Sequence, residues 1–109
     1  MPATAYPVAD RDGVAGRADR IAAAVLAVPG VAALHPGMFG EVATYLPGRR
    51  VAGVRVREHG VDIHVSVRFG VPIREVAERI QTAVAAIEPG PIAITVEDVL
   101  PADSGEGGA

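Results

Sequence analysis

The residues able to do chemistry in this 109-residue chain are few, and their spacing argues against most of it. Asp62, His64 and Ser66 alternate with Ile63 and Val65, so on a strand the three polar side chains share a face, as an acid, a base and a nucleophile would need to. Two residues of strand, however, set neighbours about 6 to 7 Å apart, beyond hydrogen-bond reach, and a plain surface triplet is expected. Glu97 and Asp98 are adjacent, and on a continuing strand they point to opposite faces, which leaves no paired carboxylates for acid–base work. His35, His59 and His64 lack metal-ligand spacing, and the absence of Cys removes disulfides, thiolate metal sites and thiol nucleophiles. No catalytic residue, cofactor or metal site is expected, and the chain reads as a non-enzyme.

Charge offers a different candidate. All ten basic residues are Arg, against thirteen acids, for a formal charge of -3, so any electrostatic partner has to be met locally. Arg49, Arg50, Arg55, Arg57, His64 and Arg68 lie in or beside two alternating segments and form the candidate partner-binding face. Glu58, Asp62 and Glu97 lie close by, and with four aromatic residues in the chain there is little from which to build a base-stacking platform. Gly37-Met38-Phe39-Gly40 matches the glycine-x-x-glycine loop of KH-type nucleic-acid-binding domains, but its middle residues are apolar and Glu41 follows. A turn with Phe39 packed inward is expected there; a small KH-like module using the Arg-bearing hairpin is the alternative function.

The elements that would position these groups follow from periodicity. Residues 1–15 and 101–109 lack it and read as disordered tails flanking one domain over 16–100. Ile21, Val25 and Val28 predict a helix over about 17–28, closed by Pro29-Gly30; its eight-residue apolar run is far below the roughly 20 needed to cross a membrane. Val31 to Leu34 reads as a short extended piece and Met38 to Leu46 as a short helix. Residues 50–57 and 61–68 alternate with period two and predict a hairpin turning at His59-Gly60, with Val56 opposite Ile63, Val54 opposite Val65, Arg57 opposite Asp62 and Arg55 opposite His64. After Pro72, the stripe Ile73, Val76, Ala77, Ile80, Ala83, Val84 and Ile87 predicts the strongest helix, worth roughly 8 to 15 kcal/mol if its large aliphatics are all buried. Ile92 to Glu97 predicts a last strand, parallel to the second hairpin strand across the helical crossover. The class is α+β: a small single-domain sandwich with a three-stranded mixed sheet, helices on one face and a polar other face.

Three stretches carry a family likeness: Gly60-Val61-x-Ile63-x-Val65-x-Val67-x-Phe69-Gly70, then Ile73-x-x-Val76-Ala77-x-x-Ile80-Gln81-x-x-Val84, then Ile94-x-Val96-x-Asp98-Val99. Over about residues 17–100 the chain resembles the alkaline-shock (Gls-type) envelope stress response family, and Gly40 to Val51 resembles short actinobacterial members. The resemblance implies a cytoplasmic, non-enzymatic scaffold, held near the membrane by a small anchoring partner and prone to associate with itself or with family paralogues. The chain lacks the longer charged tail of many members, which bears on their oligomer and anchoring contacts.

Overall fold

The computed structural model describes residues 13–101. Of the expected tails, residues 1–12 and 102–109 lie outside the described residues, and Val14 and Ala15 belong to the first helix. In chain order the elements are α1 (Val14–Leu26), β1 (Val31–Leu34), β2 (Ala43–Leu46), β3 (Arg49–Ala52), β4 (Val54–Arg57), β5 (Gly60–Arg68), α2 (Ile73–Ala85) and β6 (Ile92–Leu100). They form the expected small α+β domain, with more strand than the alternation alone revealed.

β5 is the centre of a four-stranded mixed sheet. β6 runs parallel to it on one side, and β4 and β1 share the other side, both antiparallel, β4 along Gly60–Ile63 and β1 along Val65–Val67. The extended piece at Val31–Leu34 is thus a fourth strand of this sheet. β2 and β3 form a second, two-stranded sheet closed by Pro47-Gly48, with Ala43 opposite Ala52 and Tyr45 opposite Arg50. A strand therefore stands where a short helix was expected over Met38 to Leu46. The apolar spacing there fits a helix, but Ala43 and Thr44 are buried in a hairpin instead.

The break between β3 and β4 has a local cause. Gly53 takes φ of +82°, and a Cβ there would lie 2.7 Å from Leu34 Cβ and 2.9 Å from the His35 backbone nitrogen. The chain turns at this glycine, whose N–H donates to Val42 O at 2.8 Å while its own carbonyl accepts from His64 N at 2.9 Å. Residues 50–57, one strand by alternation, therefore serve two sheets.

The β4–β5 hairpin turns at Glu58-His59 rather than His59-Gly60, so Val54 faces Ile63, Arg55 faces Asp62, Val56 faces Val61 and Arg57 faces Gly60. The displacement from the expected register is two residues, which exchanges partners yet keeps each side chain on its expected face. Gly60 is drawn into the strand by close packing, since a Cβ on it would lie 2.7 Å from Pro91 O, the atom that also accepts from Val61 N.

The core is aliphatic throughout. Ala18, Ile21 and Val25 of α1 and Val76, Ile80 and Val84 of α2 pack on Val54, Val61, Ile63, Val65 and Val67 of the sheet. Ile73 and Ile87, at the ends of the α2 stripe, are 44% and 40% exposed, so this helix buries fewer of its large aliphatics than its periodicity suggests. Pro72 occupies the N-cap of α2 rather than its first helical position. Arg17 ties the two helical segments together through hydrogen bonds of 2.6 and 3.1 Å to the buried Glu88 carboxylate.

Candidate interaction surface

The six candidate residues are spread over two sheets. Arg55, Arg57, His64 and Arg68 belong to β4 and β5, whereas Arg49 and Arg50 belong to β3 in the separate hairpin. Alternation along the main sheet sends Val54, Ile63 and Val65 into the core and leaves Arg55, Arg57, Asp62 and His64 on its open face.

Half of the candidates already hold a carboxylate. Arg49 donates to both Asp19 oxygens, at 3.2 and 2.9 Å, and Arg57 Nε donates to Asp62 Oδ2 at 2.7 Å across the diagonal of the hairpin. His64 Nδ1 lies 2.5 Å from Glu97 Oε2. The Arg49 guanidinium holds the Asp19 carboxyl below its ordinary pKa, mainly by hydrogen bonding with its charge adding, and Arg49 is raised in return. Arg50, Arg55 and Arg68 are exposed, with no carboxylate at ion-pair distance among the described residues. An electropositive patch on this face is therefore diluted by its own acids.

The His64–Glu97 pair sits at a β-bulge. Val65 registers with Val96 but Ser66 with Asp98, so Glu97 is the extra residue of β6. The carboxylate fixes the imidazole through Nδ1, as a catalytic base would require. Ser66, one pleat along the same strand, is only 4% exposed, and a separation of about 6 to 7 Å from His64 along the strand puts this serine out of reach of that base. The bulge also resets the alternation, placing Asp98 level with Ser66, which shares a sheet face with His64, and Val99 level with the core-facing Val67.

The most exposed apolar groups lie on a loop that the sequence assigned to the interior. Phe39 is 89% exposed and Met38 80%, which corrects the expectation that Phe39 packs inward. Two local anchors hold them out. Gly40 N donates to Gly37 O at 3.2 Å, and Val42 N donates to Pro36 O at 2.8 Å, so Met38 and Phe39 occupy the centre of a tight turn. His35 Nδ1 accepts from Gly37 N at 2.9 Å, and Glu41 Oε1 accepts from Phe39 N at 3.0 Å. Tyr45, 65% exposed, reaches back to Gly40 O at 3.1 Å, adding a third large side chain beside the tip. Phe69, 69% exposed, follows β5, so each aromatic residue among those described is on the surface.

The same loop is a poor phosphate cradle. A KH-type glycine loop holds a nucleic-acid backbone, yet here the Phe39 N–H is taken by Glu41, whose carboxylate lies within 3 Å of where a Gly37 Cβ would be. An anion entering the loop would meet that negative charge first.

Among the described residues no helix is long and apolar enough to cross a membrane. No family model matches the chain, nor does any curated protein or solved structure.

Proposed function

We propose that this chain is a non-enzymatic interaction module of the kind its alkaline-shock resemblance implies, a cytoplasmic scaffold that associates with itself and with a membrane-linked protein during envelope stress. The observation that carries the reading is the inversion of the usual placement of large side chains. Val, Ile and Ala fill the core, while Met38, Phe39, Tyr45 and Phe69 face outward. Leaving a Phe side chain in water forgoes roughly 2 kcal/mol of burial, and aromatic residues, Met and Arg are the types enriched where proteins meet.

The Met38-Phe39 tip and the neighbouring Tyr45 form the anchor of the partner site, with Arg50, which lies opposite Tyr45 on β3, at its rim. The open sheet face bearing Arg55, Arg57, His64 and Arg68 is the second contact. The alternative, a KH-like nucleic-acid-binding module, is less favoured because Glu41 occupies the loop donor and because Arg49 and Arg57 are paired with acids.

The experiment is capture on tagged protein from the membrane and soluble fractions of the native cell, comparing wild type with Met38→Ser plus Phe39→Ser. Recovery of one membrane protein in near-stoichiometric yield, lost in the variant, supports the reading. Recovery of nuclease-sensitive ribonucleoprotein, abolished instead by Arg55→Ala plus Arg57→Ala, would replace it with the alternative.

A further inference from the structure

The two edges of the main sheet are treated differently. On the β4 side the hydroxyl of Thr44 takes the place of a neighbouring strand, donating to Val54 O at 2.6 Å and accepting from Val56 N at 3.2 Å, and the β2–β3 hairpin continues beyond it. On the other side β6 pairs with β5 alone, and its outer backbone groups have no strand partner among the described residues. β6 is nine residues long, carries no Lys, Arg or Pro, and has its only bulge at Glu97. The usual protections of an exposed edge, charge and irregularity, thus begin at Glu97-Asp98 and leave Ile92–Val96 regular and open. β6 is also the one strand among those described that has no buried residue; Ile92, Ile94 and Val96 face the core only partly covered.

We propose that this edge pairs with the β6 edge of a second copy, antiparallel about a two-fold axis at Ile94, joining two sheets into one of eight strands. This rests on the reading of the chain as a self-associating module and names the surface for it. The open stretch is a palindrome in side-chain type. Centring on Ile94 places Ile92 opposite the partner copy's Val96 on the core face and Ala93 opposite its Thr95 on the open face. Glu97 falls opposite Pro91, so the acids of the two copies do not meet.

The helix above the edge agrees with this axis. An open groove of about 480 Å³ between α2 and β6 is lined by Arg74, Ala77, Glu78, Gln81, Thr82 and Ile94. Arg74 and Glu78 lie one turn apart on the groove side of α2, and a two-fold passing midway between them, which sets the two α2 helices antiparallel, brings the Arg74 of one copy towards the Glu78 of the other. Opposite charges meet across the axis, and the partly covered Ile94 pair closes beneath them.

The register gives a decisive test by sedimentation over a concentration series, with circular dichroism confirming the fold. Wild type is expected to dimerise. Ala93→Lys with Thr95→Lys, at two exposed positions, sets Lys against Lys across the axis and is expected to weaken the dimer about tenfold or more. Ala93→Lys with Thr95→Glu sets unlike charges opposite each other and is expected to restore it. A wild type that stays monomeric throughout, or a dimer indifferent to both variants, would overturn the β6 pairing. A dimer indifferent to both variants overturns this surface alone, whereas a monomeric wild type also removes self-association from the proposed function; capture of the membrane protein through Met38 and Phe39 tests the rest of that function separately.

Discussion

Arg17 and Glu88, 71 residues apart in sequence, meet in a two-pronged ion pair that fastens the first turns of α1 to the loop leaving α2. The carboxylate is 5% exposed and the guanidinium 28%, so the acid depends on this partner for its solvation. Arg17→Met should therefore destabilise the fold by about 2 to 3 kcal/mol, read as a lower urea midpoint at unchanged slope. Changing both partners, Arg17→Met with Glu88→Leu, should recover much of the loss. The hydrogen bond to Glu88 raises the Arg17 pKa above its ordinary value. A raised group loses its contribution only as pH climbs through that folded value, so the penalty should stay flat from acid-neutral to alkaline conditions.

Thr44 offers a test of the covered edge. Thr44→Val keeps the shape but strips the hydroxyl from Val54 O and Val56 N, and should cost about 1 to 3 kcal/mol. Thr44→Ser should cost less, and hydrogen exchange at the Val56 amide should quicken in the Val variant alone.

Gly53 and Gly48 separate backbone strain from crowding. Both have φ near +80°, but a Cβ at Gly48 meets nothing within 4 Å, whereas one at Gly53 collides with Leu34 and His35. Gly48→Ala should cost about 1 kcal/mol, and Gly53→Ala about 3 kcal/mol or more, by thermal or urea unfolding.

Acid titration should expose the Asp19–Arg49 pair. The folded carboxyl is depressed by Arg49, so its stabilisation is present above the ordinary carboxylate range and disappears as pH falls through the lower folded value. Wild type should exceed Asp19→Asn in stability near neutrality, with the gap closing in acid and shrinking at high salt. Both side chains are half exposed, so the gap should be small.

Much of this architecture is legible in the chain because two periods dominate it. Val61 to Val67 and Ile73 to Val84 declare strand and helix, and a hairpin slip of two residues cannot disturb the faces they imply. The β2–β3 hairpin was hidden because Val42, Ala43 and Leu46 also satisfy helical spacing, and the decisive feature, Gly53 pressed between Leu34 and His64, is a contact between distant segments. Of the candidate site, the open-face placement of Arg55, Arg57 and His64 follows from alternation. Glu97 was likewise expected beside these residues and is found paired with His64, whereas Asp19, the partner of Arg49, is a long-range contact that no periodicity shows. Phe39 was misplaced because an apolar residue between glycines gives no sign of its direction; Glu41, able to cap the turn from two residues away, was the available signal.

The most direct measurement of the central claim is the affinity of the captured membrane protein for wild type and for Met38→Ser plus Phe39→Ser, at low and high salt. An apolar anchor predicts binding that changes little with salt and weakens about a hundredfold or more when both tip residues are truncated. Unchanged affinity in the tip variant, with binding to wild type that collapses on raising salt, would contradict the account.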